Sequence, residues 1–253
     1  RRADGVVNPK IGMIETAELV KAHEHYTSDL AQVQGKLRGR GIAMGYWRNN
    51  TGPAACVATV TPDGNVNLSE GSVDVGGSRT AIAQQLAEVL GIPVEDVNPQ
   101  VADTDSIGYT SVTGGSGVAF KSGWAAYEAA QHIKAEVIER AALIWDADKE
   151  EIQYSDGTVS HKSDPELKLS FKEIASGSNN TGGPIVGSAG VNPIGAGGSY
   201  AAMIIDLEID EETGKTDVLR CTTFTDVGKA IHPDYVEGQM QGASAQGIGW
   251  ALN

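Results

Sequence analysis

The chain contains 253 residues, 40% of them hydrophobic, so it can form one large domain or two of ordinary size around a substantial core. Its formal net charge is −14 and it has no run of Lys and Arg, which argues against nucleic acid or an anionic membrane as the main partner. No apolar run is long enough to span a membrane, and no charged segment followed by an apolar one opens the chain. We therefore expect neither a membrane span nor a signal peptide.

The two cysteines, Cys56 and Cys221, are far apart in sequence and have no partner at metal-ligand spacing. A disulfide framework or a cysteine metal site is therefore not indicated, and we expect two packed thiols. The 32 glycines are the unusual feature of the composition, because they occur in clusters. They have no collagen-like period and so indicate tight turns and close approaches of the backbone.

Hydrophobic spacing predicts the elements of the first half of the chain. The first forty residues are polar and indicate connecting loops around one helix at residues 14–20. Two β-rich runs, residues 54–61 and 65–69, flank a Pro-Asp-Gly turn and predict a hairpin. Apolar residues on one helical face then predict a helix over residues 78–90, which follows a Gly-Gly turn and ends at Gly91.

A long alanine-rich helix is predicted over residues 118–145. Four of its small residues would let another element pack closely: Ala125, Ala126, Ala129 and Ala130. A small hairpin around Asp156 and Gly157 is expected next. A polar, Gly-rich connection then continues to about Gly198.

The C-terminal part carries the clearest strand signals. Alternating runs at residues 200–209 and 217–225 are joined by a Glu-Glu-Thr-Gly turn and predict a β-hairpin. Residues 233–252 predict a helix, with Pro233 in its first turn and acidic residues near the positive end of the helix dipole. Because hairpins and helices follow one another without strict strand–helix alternation, the predicted fold class is α+β, with hairpins and mixed sheets packed against helices.

One face of the last predicted helix combines two amides with a bare backbone. Gln239, Gly242 and Gln246 stand at i, i+3 and i+7, so they share that face. Glutamine donates and accepts hydrogen bonds at once, which suits a pterin or base edge better than a metal. The alternative is that the glycine permits close helix packing and the glutamines are solvated, and spacing alone leaves both interpretations open.

Residues 74–80 (DVGGSRT) lead into a helix N-terminus, where unpaired amides and the helix dipole favour a phosphate. The segment lacks the lysine of a P-loop and the spacing of a dinucleotide fingerprint, so a plain helix cap is the favoured alternative. A phosphate-binding transferase is a poorer enzyme hypothesis, because no cationic clamp accompanies the loop. Residues 39–45 (GRGIAMG) also lack the dinucleotide spacing.

Three further groups could carry chemistry. Residues 114–117 (GGSG) precede a helix and can present amides to a ligand, with a flexible turn as the alternative. Asp103 and Asp105 could act as acid and base or as metal ligands, but a solvated loop is favoured because no other ligand accompanies them. His23 and His25 form an isolated pair without a third ligand, and no catalytic Ser/His/Asp or Cys/His set can be assembled.

Three blocks occur in a fixed order along the chain. The first comprises residues 72–80 (SVDVGGSRT), 84–93 (QQLAEVLGIP) and 103–104 (DT). The second comprises residues 113–117 (TGGSG) and 123–130 (GWAAYEAA). The third comprises residues 206–214, 226–228 (DVG), 231–233 (IHP), 238–239 (GQ), Gly242 and 246–249 (QGIG). In this order the blocks resemble the molybdopterin-binding half of the molybdenum hydroxylases, the family that includes xanthine dehydrogenase, aldehyde oxidase and carbon monoxide dehydrogenase.

The resemblance implies three groups of cofactor-binding residues. The first approaches the pterin dinucleotide: Val75, Gly76 and Gly77, with Ser78 and Arg79 as close neighbours. The second lies beside the metal, with Gly115 nearest to it, followed by Ser116 and Gly117. The third is the helix face of Gln239, Gly242 and Gln246. Two departures from the family pattern are Gly77 in place of glutamine and His232 in place of asparagine before Pro233.

The resemblance also implies a molybdenum cofactor, with molybdopterin in its cytosine dinucleotide form. It implies hydroxylation of a carbon of a small-molecule substrate with oxygen derived from water, and iron–sulfur and FAD subunits as partners in a dimer of heterotrimers. The expected location is the cytoplasm, with the periplasm as the alternative. The expected domains are a connecting segment at residues 1–40 and molybdopterin-binding subdomains at residues 41–180 and 181–253.

The family's catalytic glutamate lies in a Gly-x-Gly-Glu motif after the last helix of the resemblance, and the printed sequence does not contain it. We therefore expect a fragment of the molybdenum subunit, in which no catalytic residue can be assigned and to which the remaining segments of that subunit would bind. The rival hypothesis is a non-catalytic acidic α+β binding or structural module, in which the glycine clusters are turns and packing sites.

Overall fold

The computed structural model describes Val7 and residues 12–252. Within that part the α-helices are α1 (Met13–Ala22), α2 (Glu24–Thr27), α3 (Ser78–Leu90), α4 (Thr104–Ile107), α5 (Val118–Trp145), α6 (Phe171–Ser176), α7 (Ser178–Thr181) and α8 (Pro233–Leu252). Short 3-10 helices cover Val94–Asp96 and Lys149–Glu151. The strands are β1 (Lys36–Arg48), β2 (Ala54–Val60), β3 (Val66–Glu70), β4 (Val97–Val101), β5 (Ile152–Ser155), β6 (Thr158–His161), β7 (Lys168–Ser170), β8 (Ile185–Val191), β9 (Gly198–Asp210) and β10 (Thr216–Asp226).

These elements form two compact units. The terminal unit contains the described residues up to 49 and from 197 onward, and the central unit comprises residues 50–196. The boundaries differ from those expected at residues 40 and 180. The reason is that β1 pairs with β9 along its whole length, from Lys36 opposite Asp210 to Arg48 opposite Gly198.

The terminal unit is built on an antiparallel sheet in which β9 lies between β1 and β10. On one face α1 packs on a small core formed by Val20, Ala202, Ile204 and Phe224. Side chains alternate between the faces of a strand, so neighbouring Thr222 and Thr223 point to opposite sides. Thr222 Oγ1 lies 2.7 Å from Nδ1 of His25 in α2, whereas Thr223 Oγ1 lies 3.0 Å from Ser244 Oγ in α8. The sheet is therefore covered by helices on both faces.

A buried charged network joins these elements. Arg40 of β1 donates from Nε to Oδ1 of Asp206 at 2.7 Å and from Nη2 to Oδ2 at 2.9 Å. His25 is fully buried, and its Nε2 lies 3.1 Å from Asp206 Oδ2. The hydrogen bond from Arg40 holds the pKa of Asp206 below its usual value. Because His25 also contacts Thr222, one network connects α2 with all three strands.

The central unit contains a mixed sheet in the order β4-β3-β2-β8. β2 is antiparallel to β3 and to β8, whereas β3 and β4 are parallel and are connected through α3. α3 and α5 bury the main core against this sheet, through residues that include Leu68, Ile82, Leu86, Leu90 and Ile133. A second, antiparallel sheet has the order β5-β6-β7. The α+β prediction is confirmed, with one parallel crossover that the sequence pattern did not indicate.

Close packing of α5 is also confirmed. The four alanines predicted to allow it are fully buried: Ala125, Ala126, Ala129 and Ala130. The backbone of β8 passes so near that a Cβ at Gly187 would collide with the carbonyl oxygen of Ala129 and lie 2.8 Å from Cγ1 of Ile133. Glycine at this position therefore lets strand and helix approach to backbone contact.

Other expectations were wrong. The connecting segment expected up to residue 40 ends in the first residues of β1, which continues to Arg48, and β4 was not predicted. The expected irregular connection up to Gly198 contains β7, α6, α7 and β8, and a capping box between Ser170 and Glu173 begins α6. Cys56 is a buried thiol, and burial raises its pKa to about 12, whereas Cys221 lies in the edge strand β10 and is exposed.

Glu70, at the end of β3, is buried, and its carboxyl group binds a nearby backbone amide. It is 1% exposed, its Oε2 accepts a hydrogen bond from the amide of Ser72 at 2.6 Å, and its Oε1 has no partner among the described residues. Burial raises its pKa. Glu70 therefore fixes the chain at Ser72, whose Oγ lies 2.5 Å from Oγ of Ser122 in α5.

We predict that Arg40→Met lowers the melting temperature by several degrees, because it leaves the Asp206 carboxylate buried without its guanidinium. Since the folded-state pKa of Asp206 is lowered, the contribution of the Arg40–Asp206 pair should be complete above about pH 4 and should be lost as pH falls through the lowered value. Thermal unfolding between pH 7 and acid pH measures this. Lys215→Met, which breaks an exposed ion pair with Asp217, is the control and should change little. Equal effects of both substitutions would contradict the prediction.

The opposite pH dependence is expected for Glu70→Gln. Because the folded-state pKa of Glu70 is raised, the wild-type protein loses stability as pH rises above the unfolded-state value, about 4.3 for glutamate. Glutamine cannot ionise, so the variant should match the wild type near that pH and unfold at a higher temperature at pH 7. Glu150→Gln, at an exposed position, controls for the loss of a charge. A Glu70→Gln protein that is less stable at every pH would refute this expectation.

Candidate cofactor-binding site

Two of the loops predicted from the sequence lie together in the central unit. Loop A (residues 71–77) leads into α3, and loop B (residues 110–117) leads into α5. The amide of Val73 in loop A donates to Oγ1 of Thr113 in loop B at 2.9 Å. The hydroxyl contact between Ser72 and Ser122 adds a second connection beneath them. The N-terminal ends of α3 and α5 therefore present both loops at one edge of the unit.

Loop A ends in two glycines in the left-handed region, Gly76 at φ 60° and Gly77 at φ 76°. A residue with a Cβ adopts this conformation only with strain, which explains the glycines. No acceptor among the described residues takes the amide of either glycine. Two backbone donors at the start of α3 are therefore available to an anionic or acceptor-rich ligand.

The same turn also contains a helix cap. Asp74 Oδ1 accepts hydrogen bonds from the amide of Arg79 at 3.1 Å and from Ser78 Oγ at 3.5 Å, and Ser78 Oγ accepts from the amide of Val75 at 3.2 Å. Arg79 Nη2 lies 3.4 Å from Asp74 Oδ2, with its side chain 44% exposed. The capping interpretation thus holds for Asp74, while the glycine amides and the exposed guanidinium remain accessible.

Loop B has an unusual backbone conformation, which a hydrogen bond from Asn50 supports. Gly115 has φ 65° and Ser116 has φ 60°, which is uncommon for a residue with a side chain. The amide of Asn50 donates to the carbonyl oxygen of Gly115 at 2.8 Å. Gly117 is buried, and a Cβ there would lie 2.6 Å from the carbonyl oxygen of Asn50. Gly115 and Ser116 are exposed at the surface of the loop.

A fully buried lysine lies beneath loop B, and sequence reasoning did not identify it. The Nζ of Lys121 donates to the carbonyl oxygens of Ser111 and Val112 at 3.0 and 2.7 Å, and lies 2.7 Å from the Ser111 hydroxyl. Burial lowers the pKa of Lys121. The only available signal was a charged residue on the otherwise small, inward face of an alanine-rich helix.

The third predicted group lies in the terminal unit. Gln239, Gly242 and Gln246 are exposed along α8, on the side away from Ser244, which contacts the sheet. A Cβ at Gly238, Gly242 or Gly247 would meet no atom of the described residues within 4 Å. Helix packing inside this part of the chain therefore does not account for the glycines. The glutamines remain available either to solvent or to a ligand.

The Asp-Val-Gly segment that precedes α8 has a structural explanation. Asp226 accepts hydrogen bonds from the amide of Gly12 at 2.6 Å and from that of Gly228 at 3.0 Å, and these bonds lower its pKa. His232 then accepts from the amide of Tyr235 at 3.3 Å and stacks on its ring. This hydrogen bond is one that an asparagine can also make at a helix start, so His232 can replace asparagine there.

The other candidates have structural roles. Asp103 accepts from the amide of Asp105 and caps α4. His25 belongs to the buried network described above. Within residues 12–252, no three His, Cys, Asp or Glu side chains are grouped closely enough to hold a metal ion. Over the same range, each helix is either too short or too polar to cross a membrane.

Comparison with known proteins gives a consistent result. A family model described as the molybdopterin cofactor-binding domain matches residues 14–253. The xanthine dehydrogenase molybdenum-binding subunit of Escherichia coli O157:H7 is 26% identical over 251 residues, which cover 94% of this chain and 33% of that protein. The nicotine 6-hydroxylase large subunit of Paenarthrobacter nicotinovorans is 30% identical over 209 residues, or 77% of this chain and 25% of that protein.

The fold is also shared with solved structures. Quinoline 2-oxidoreductase from Pseudomonas putida 86 matches with a TM-score of 0.72 at 24% identity, over 85% of this chain and 30% of that one. The chain thus spans about a quarter to a third of the length of the curated relatives it matches. Given the match over residues 14–253, the chain belongs to the molybdopterin cofactor-binding domain family of the molybdenum hydroxylases.

Proposed function

We propose that this chain is the cofactor-holding part of the molybdenum subunit of an oxidoreductase. The proposed enzyme hydroxylates a carbon of a small molecule with oxygen derived from water. The observation that carries the proposal is the pair of left-handed loops at the ends of α3 and α5, where the amides of Gly76 and Gly77 have no acceptor among the described residues. Exposed backbone donors of this kind suit a large anionic cofactor, because no Cβ separates them from it.

Three groups of residues would bind different parts of the cofactor. The amides of loop A and the guanidinium of Arg79 would hold the phosphate-bearing part of molybdopterin, in its cytosine dinucleotide form. Gly115, Ser116 and Gly117 would lie beside the molybdenum, with Gly115 nearest. Gln239 and Gln246 would hydrogen-bond polar edges of the cofactor, and Gly242 would let it approach the helix backbone. When bound, molybdopterin supplies the redox chemistry, and these residues orient it.

The proposed enzyme would also need residues that other segments and subunits supply. The general base would be a glutamate in a Gly-x-Gly-Glu motif of the same subunit, and the substrate pocket would be formed by its other segments. Electrons would pass to iron–sulfur clusters and FAD in partner subunits, in a dimer of heterotrimers in the cytoplasm. The rival hypothesis, a non-catalytic acidic module, predicts a protein from which molybdenum and nucleotide are both absent.

Metal and nucleotide analysis tests the proposal directly. In the intact complex purified from its natural source, we expect about one molybdenum atom per chain, by mass spectrometry, and a matching amount of cytosine nucleotide after acid release. An unrelated acidic protein prepared in parallel controls for adventitious metal. A folded, intact complex that contains neither component would favour the non-catalytic module.

The face of α8 can be tested by substitution. Gln239→Ala and Gln246→Ala should each weaken retention of the cofactor roughly fivefold, the expected cost of one hydrogen bond. Gln241→Ala is the matched control, because Gln241 is an exposed glutamine of the same helix on a different face. The measurement is molybdenum and nucleotide per chain after prolonged dialysis of the complex. If all three variants retain the cofactor equally, the two glutamines are solvated and do not bind it.

A further inference from the structure

We propose that Lys121 is a positioning residue: from its place in the first turn of α5, its ammonium group holds the start of loop B and so keeps the backbone at Gly115 and Ser116 in the conformation that receives the cofactor. This inference rests on the proposed function for its ligand, an anionic pterin nucleotide. The clamp itself is argued from contacts within the central unit alone. Neither the sequence blocks nor the family match assigns a role to Lys121.

The first step is geometric. The amide of Lys121 donates to the carbonyl oxygen of Gly117 at 2.9 Å, in the first turn of α5 where loop B ends. Its ammonium group reaches back to the other end of the loop, where Ser111 and Val112 accept from it. One residue therefore connects the entry and the exit of the segment that contains Gly115 and Ser116.

The second step concerns the conformation of that segment. Ser116 adopts a left-handed backbone without being glycine, which costs free energy and persists only where surrounding contacts impose it. Asn50 supplies one such contact, through the hydrogen bond of its amide to the Gly115 carbonyl oxygen. The ammonium group of Lys121 supplies others, at Ser111 and Val112. Without the ammonium group, the carbonyl groups of Ser111 and Val112 lose their donor, and the loop is free to relax.

The third step concerns charge. The hydrogen-bond acceptors around the buried ammonium are neutral, two carbonyl oxygens and one hydroxyl, and no carboxylate forms an ion pair with it among the described residues. Burying an unpaired ammonium group is costly, so a purely structural role would be served better by a neutral side chain. A positive charge under a loop that faces an anionic cofactor favours the bound state. The burial and the charge of Lys121 therefore both support a role in binding the cofactor.

The experiment compares Lys121→Met, Lys121→Arg and Lys149→Met in the intact complex. Methionine removes the donors and the charge, arginine retains both, and Lys149 is an exposed lysine of the same unit that controls for loss of a positive charge. Three quantities are measured: the rate at which molybdenum and nucleotide are released on dialysis, the electron paramagnetic resonance spectrum of Mo(V), and amide hydrogen exchange of residues 110–117.

For Lys121→Met we expect release to accelerate by about tenfold or more, the range typical of residues that support a metal site indirectly. We also expect an altered Mo(V) spectrum and faster exchange confined to loop B. Lys121→Arg should restore most of the wild-type behaviour, and Lys149→Met should match the wild type. If Lys121→Met does not fold, Ser111→Ala, which removes one acceptor of the ammonium group, takes its place and should shift release, spectrum and loop exchange in the same direction by a smaller amount.

Two results would overturn the inference. One is a folded Lys121→Met complex with wild-type release, spectrum and loop exchange. The other is faster exchange across the whole central unit with an unchanged Mo(V) spectrum, which is what loss of packing alone produces. A wild-type complex that contains no molybdenum or nucleotide would instead refute the proposed function, and exchange at residues 110–117 would still decide whether Lys121 clamps the loop.

Discussion

The close packing of α5 is the constraint on which the rest of the central unit depends. Glycine at position 187 and the buried alanines of α5 allow strand β8 and the helix to meet at backbone distance. This fixes α5 next to α3 on one face of the sheet, so the first turns of both helices are held side by side. The packing of the two helices therefore brings the two loops together, and the hydrogen bond from Val73 to Thr113 joins them.

Local patterns in the sequence predicted the elements that depend on local physics. The helix at residues 78–90, the alanine-rich helix and the C-terminal hairpin follow from apolar spacing and turn residues, and the structure has them. β1 was missed because its alternate glycines, at positions 39, 41 and 45, weaken the strand pattern, and its partner lies more than a hundred residues further along the chain. β4 was missed because it contains Pro99, and proline is rare inside a strand.

The same distinction, between local patterns and long-range packing, applies to the residues of the candidate site. Gly76, Gly77 and Gly115 could be identified in advance, because left-handed glycines before helices leave a sequence signal and resemble a known family. Glu70 and Lys121 could not, because burial of a charged residue depends on where distant elements pack. Both support the loops from beneath, so the exposed glycines of the candidate site could be predicted from the sequence and the buried residues that support them could not.

The pairing of β1 with β9 makes the central unit an insertion between two neighbouring strands of the terminal unit. The ends of the insertion are joined, since the amide of Asn49 donates to the carbonyl oxygen of Gly197 at 3.3 Å. During synthesis, β1 therefore remains unpaired until the whole insertion and then β9 have left the ribosome. The central unit can acquire its core in that interval, whereas the terminal sheet closes last and at high contact order.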